Sequence, residues 1–104
     1  MSQPDVVIGL DIGTTSTMAA AVRLPDQILA VASRPTTLSS PHAGWAEEDP
    51  AEWWDNAVAV LREVVAEVGA ARIAGICATG MLPAVVLLDA EGKVLRPSIQ
   101  QSDG

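Results

Sequence analysis

Val6-Val7-Ile8-Gly9-Leu10-Asp11-Ile12-Gly13-Thr14-Thr15-Ser16 is an apolar run that ends near a carboxylate and then breaks at a glycine followed by hydroxyls. A second apolar run continues from Ser16 to Arg23, so the stretch reads as two antiparallel strands joined by a tight turn. Glycine lets the backbone fold tightly there. Successive amides and hydroxyls of Gly13, Thr14, Thr15 and Ser16 can then point at phosphate oxygens. Asp11 cannot itself welcome phosphate. It either accepts backbone hydrogen bonds within a hairpin or holds a magnesium ion, usually through water, beside nucleotide phosphates.

Outward from this stretch, Pro25-Asp26 marks another turn, and Gln27 to Pro35 reads as a third strand. Residues 36–49, rich in Ser, Pro, Thr, His and Gly, suit a surface loop. A helix is then well specified: Asp49 caps it, Pro50 takes the first helical position, and Glu52 completes a box-like arrangement. Trp54, Ala57, Val58, Leu61, Val65 and Val68 recur at spacings of three and four as one apolar stripe, and Gly69 ends the run. Trp54 is expected in the core, with Trp53 packing beside it. Residues 72–79 read as a buried strand, and a helix between two strands normally leaves them parallel. Residues 84–88 and 93–96 read as further strands around an Asp89-Ala90-Glu91-Gly92 turn.

Three strands, a helix and two or more strands make the plan of an α/β, ribonuclease-H-like (actin-like ATPase) half-domain, a mixed sheet with one helix crossover. The strands are apolar almost throughout, which indicates burial on both faces, whereas a single helix covers one. The half-domain is therefore expected to be truncated. Its second face would be covered by segments absent from the chain or by association, including assembly into a homo-oligomer.

Composition narrows the function. Of 104 residues, 49% are hydrophobic, which indicates a folded core. The net charge of -7, from 13 acidic against 6 basic residues, is the reverse of what nucleic-acid binding requires. Cys77 stands alone, so no disulfide framework or cysteine metal site is available, and its apolar neighbours indicate a buried thiol. His42 has no partner at metal spacing and reads as a loop residue. Glu47, Glu48, Glu63 and Glu67 read as a solvated acidic surface. The N-terminus lacks the basic start and long apolar core of a signal peptide, and no run approaches a membrane span. A cytoplasmic location without membrane partners is the expectation.

The stretch from Gly9 to Ser16 resembles the first phosphate motif of the superfamily that unites sugar kinases, heat-shock chaperones and actin. Later stretches narrow the resemblance. His42-Ala43-Gly44-Trp45-Ala46-Glu47-Glu48-Asp49-Pro50-Ala51-Glu52-Trp53-Trp54 is similar to the loop-and-helix signature of the FGGY carbohydrate kinases, particularly the xylulokinase-like members. Leu87-Leu88-Asp89-Ala90-Glu91-Gly92 with Leu95-Arg96-Pro97-Ser98-Ile99 resembles a hairpin of the same family. Asp103-Gly104 falls where those proteins carry an aspartate shortly before an arginine.

This resemblance implies that the chain is the first part, residues 1–104, of an N-terminal kinase domain, with the rest of that domain and a C-terminal domain absent. It implies ATP and Mg2+ as cofactors and a small-molecule sugar, such as the pentulose xylulose, as acceptor. Asp11 would be the catalytic and metal-positioning carboxylate, and Gly13, Thr14, Thr15 and Ser16 the nucleotide contacts. Met81, Leu82, Pro83 and Asp103 would face the sugar. Family members commonly carry polar groups after the glycine at Gly80, whereas Met81-Leu82-Pro83 is apolar and equally consistent with core packing. Trp45 could approach the sugar cleft or anchor its loop. The family's general base, an aspartate, would lie beyond Gly104, so the segment alone is expected to be inactive. A non-kinase ATPase of the superfamily, chaperone or activator, is the alternative, as is an inactive interaction fragment.

Overall fold

The computed structural model describes residues 3–44, 46–80, 84–86, 88–94 and 96–100. Alternating burial along the first strands shows how the sequence builds its sheet. In β1 (Val6–Ile12), Val6, Ile8 and Leu10 are buried while Gly9 and Asp11 are exposed. In β2 (Ser16–Arg23), Thr17, Ala19 and Ala21 are buried on the same face, and β3 (Gln27–Pro35) adds Ala30 and Ala32. Small residues on β2 and β3 let a helix approach closely. That helix, α1 (Pro50–Val68), lies mainly over β3 and β2 and touches β1 lightly.

Asp49 caps α1 as anticipated, with Oδ1 accepting from the Ala51 amide at 2.9 Å. At the other end, Gly69 adopts φ 90° and its amide returns to the Val65 carbonyl at 2.8 Å, a conformation that favours glycine. Ala57, Val60 and Val64 are buried against the sheet, with Leu61, Val65 and Val68 flanking. Fully burying a valine or isoleucine contributes about 1.5–3 kcal/mol, so Val6, Ile8, Val60 and Val64 form the energetic centre. The apolar stripe is therefore rotated from its expected position. Trp54 is 71% exposed rather than core, because the helix turns its Val60 and Val64 edge to the small residues of β2 and β3.

A short 3-10 turn (Ala70–Arg72) leads into β5 (Ile73–Gly80), which pairs parallel with β1 from Val6↔Ile73 to Ile12↔Gly80. Antiparallel β1–β2 and β2–β3 ladders complete a mixed sheet in the order β3-β2-β1-β5. The parallel crossover matches expectation; the burial of β5 does not. Ile76 and Cys77 are exposed, because α1 does not extend over β5 and no described element packs on the opposite face. That face also carries Met18 and Val31, both exposed.

A second, small sheet has the order β4-β7-β6, from β4 (Glu47–Glu48), β6 (Ala84–Val85) and β7 (Ser98–Gln100). The region expected to be wholly loop thus contains a strand. Of the strands anticipated over residues 84–88 and 93–96, the described residues show β6 and an isolated Leu88↔Val94 bridge. The intervening turn closes as read, with Asp89 Oδ1 accepting from the Glu91 and Lys93 amides at 2.9 and 2.8 Å and Gly92 at φ 85°. Among the described residues, no helix is long and apolar enough to cross a membrane.

Candidate functional site

The hairpin between β1 and β2 holds the candidate phosphate turn. Ile12 pairs with Thr17, and inside that pair the Gly13 amide donates to the Ser16 carbonyl at 2.9 Å, leaving Thr14 and Thr15 at the tip. A methyl group on Gly13 would stand 3.1 Å from that carbonyl oxygen and 4.0 Å from Asp11 Oδ2. Close approach, rather than an unusual φ, is what requires glycine. Because the Gly13 amide is engaged inside the hairpin, this residue acts through the shape of the turn. Thr15 is exposed, and its carbonyl accepts from the Thr36 amide at 2.9 Å, which ties the turn to the exit of β3.

Asp11 is exposed on the sheet face turned away from α1. Its neighbours in register are Met18 on β2 and Thr79 on β5. Sequence reasoning missed Thr79. The signal was available, because a parallel crossover brings the carboxyl ends of β1 and β5 level, and ligands of α/β sheets bind outside such ends. A cavity of about 360 Å³ runs down the same face past Gly9, Ala20 and Cys77. Its walls are almost wholly apolar, so below the Asp11 rim it has the character of a packing groove rather than a polar ligand site.

Among the described residues, no group of three or more His, Cys, Asp or Glu converges on one point. A lone exposed carboxylate at the end of a strand is the kind of ligand that magnesium takes when water and nucleotide oxygens complete its shell. Asp11 is the residue that would hold it.

Beyond the turn, residues 40–46 are closed at the neck by paired bonds between Ser39 and Glu47 at 2.8 and 2.9 Å. Glu47 and Glu48, expected at a solvated surface, are buried instead. Arg96 forms an ion pair with Glu47, and Trp53 Nε1 donates to Glu48 Oε1 at 2.8 Å. Glu48 is 1% exposed, and its Oε2 has no hydrogen-bond partner among the described residues. Burial pushes its carboxyl above the usual carboxylate range; the Trp53 bond opposes the rise and the Glu52 charge adds to it. Glu52 does not complete a capping box. Its carboxylate reaches across to Thr37, accepting from the amide at 2.7 Å and from the hydroxyl at 3.0 Å.

Met81, Leu82, Pro83 and Asp103, the expected sugar wall, and Trp45 lie outside the described residues. Among the described residues, the structure brings Asp11, Gly13, Thr14, Thr15 and Ser16 together around one hairpin.

Residues 6–104 match the model of the FGGY family of carbohydrate kinases, N-terminal domain. The chain superposes on the crystal structure of xylulose kinase from Rhodospirillum rubrum with a TM-score of 0.91 and 74% identity, covering 95% of this chain and 21% of that one. It is 31% identical to a xylulose kinase from Klebsiella pneumoniae, over 93% of this chain and 20% of the relative. A glycerol kinase from Citrifermentans bemidjiense is 36% identical, over 84% of this chain and 18% of its own length. The chain thus spans about a fifth of the length of the relatives it matches. These likenesses do not favour a non-kinase ATPase.

Proposed function

The chain belongs to the FGGY family of carbohydrate kinases, and on that premise we propose that it forms the first part of the N-terminal domain of an enzyme that phosphorylates a sugar hydroxyl with ATP. The observation that carries the proposal is the phosphate turn at residues 13–16, with Asp11 and Thr79 level beside it at the ends of two parallel strands. Phosphoryl transfer needs little covalent help from a protein. It depends on holding donor and acceptor in line and on neutralising charge around the phosphates.

In this reading the hydroxyls and amides at Thr14, Thr15 and Ser16 orient the terminal phosphates, and Gly13 shapes the turn so that they converge. Asp11 holds magnesium beside the phosphates. When bound, that ion supplies positive charge against the phosphate oxygens. Met81, Leu82, Pro83 and Asp103 form part of the wall that receives the sugar.

A pentulose such as xylulose is the proposed acceptor, supported by the 74% identity to the Rhodospirillum rubrum xylulose kinase. The net charge of -7 is the reverse of what nucleic-acid binding requires, and a cytoplasmic location is part of the same proposal. Asp11→Asn in the full-length protein tests the site. An amide keeps the shape but holds magnesium weakly, so turnover at saturating ATP should fall by about 100-fold or more with folding intact. Wild-type turnover in a folded variant would contradict the role given to Asp11.

A further inference from the structure

Nothing in the phosphate reading accounts for the polar side chains that α1 directs at the exit of β3. Pro35, the last residue of β3, pairs with Ser16 at the foot of the turn. Proline has no amide, so the ladder loses a donor where β2 leaves the turn. The next residue replaces it, through the bond from the Thr36 amide to the Thr15 carbonyl. Thr37 and Leu38 are exposed, so packing does not fix this segment.

Side chains of α1 fix it instead, on both sides of Thr36. Asn56 Nδ2 donates to the Pro35 carbonyl at 3.0 Å. Glu52 takes both the amide and the hydroxyl of Thr37, at 2.7 and 3.0 Å. Glu52 and Asn56 stand one helical turn apart on the same side of α1. Bonds to an ionised carboxylate are the shorter and stronger kind, and the first helical turn favours a negative charge at Glu52. A capping role alone would have returned this carboxylate to the Asp49 amide; here it is spent on the neighbouring segment.

We infer that Glu52 and Asn56 are positioning residues that hold residues 35–37 so that Thr36 keeps the phosphate turn in its binding shape. The inference deepens the kinase reading and rests on it for the identity of the ligand. Both act through Thr36 and Thr15.

The test uses the full-length protein, as wild type, Glu52→Ala and Glu52→Gln, with steady-state kinetics for ATP and sugar and with amide hydrogen exchange. Loss of the paired bonds in Glu52→Ala should raise KM for ATP about tenfold while KM for sugar stays unchanged. Glutamine can still accept from the Thr37 amide, and its own amide can donate to the hydroxyl, so Glu52→Gln should return to within about threefold of wild type. Exchange at the Thr36 amide should quicken in the alanine variant and recover in the glutamine variant. Unchanged exchange at Thr36 in Glu52→Ala overturns the clamp whatever the activity. Faster exchange with an unmoved KM for ATP, or equal rises for ATP and sugar, overturns the positioning role. A wild-type protein without sugar kinase activity would instead remove the phosphate reading, while faster exchange at Thr36 would still uphold the clamp.

Discussion

Replacing Glu48 by glutamine should stabilise the full-length protein at neutral pH, although it removes a carboxylate that accepts a good hydrogen bond. Glu48 is almost wholly buried; Oε1 accepts from Trp53 Nε1 at 2.8 Å and Oε2 lacks a partner among the described residues. Glutamine keeps an oxygen for Trp53 and removes the buried charge. It also introduces an amide group that needs an acceptor, so the net gain is about 1–2 kcal/mol, below the several kcal/mol that burying a charge can cost. The sign of the pH dependence follows from the raised carboxyl. A group that holds its proton more tightly when folded stabilises the fold below its unfolded pKa, and that contribution is lost as pH rises through the folded value. The advantage of Glu48→Gln should therefore be largest near about pH 7 and close towards about pH 4, where Glu48 is itself neutral. Thermal unfolding of both proteins across that range, by calorimetry, measures it. A variant less stable than wild type at neutral pH, or a difference independent of pH, would refute the reasoning.

Three further outcomes are expected. Thr17 is fully buried beneath α1 with no partner for its hydroxyl among the described residues, so Thr17→Val should be neutral or stabilising by up to about 1 kcal/mol in thermal unfolding. Val60→Ala should cost about 2 kcal/mol in the same assay, because Val60 is fully buried at the helix–sheet contact and its loss leaves a cavity. Met81→Gln should change relative turnover on different ketoses without a comparable change in KM for ATP; an unchanged profile with reduced stability would mark Met81 as a packing residue.

Elements written in local residue patterns were legible in the sequence. The hairpin from Val6 to Arg23, the third strand and the ends of α1 follow from apolar runs, Gly13, the Asp49-Pro50 start and Gly69. Which side of α1 meets the sheet was less so, since Trp54 and Val60 both fit an apolar helix pattern and only the small residues of β2 and β3 decide between them. Burial of Glu47 and Glu48 was hidden for a different reason. A carboxylate is buried by its partners, and Arg96 approaches Glu47 from a distant part of the chain. Asp11 and the turn could be read from one stretch, whereas Thr79, Glu52 and Asn56 join the site only through pairings made in three dimensions.

Sugar-dependent release of ADP by the purified full-length protein, followed in a coupled assay with xylulose and glycerol as competing acceptors, tests the central claim most directly. The account predicts ATP turnover that depends on magnesium, rises strongly on addition of xylulose, and is lost in Asp11→Asn. ATP turnover indifferent to every sugar, or sugar-stimulated turnover undiminished by Asp11→Asn, would contradict it.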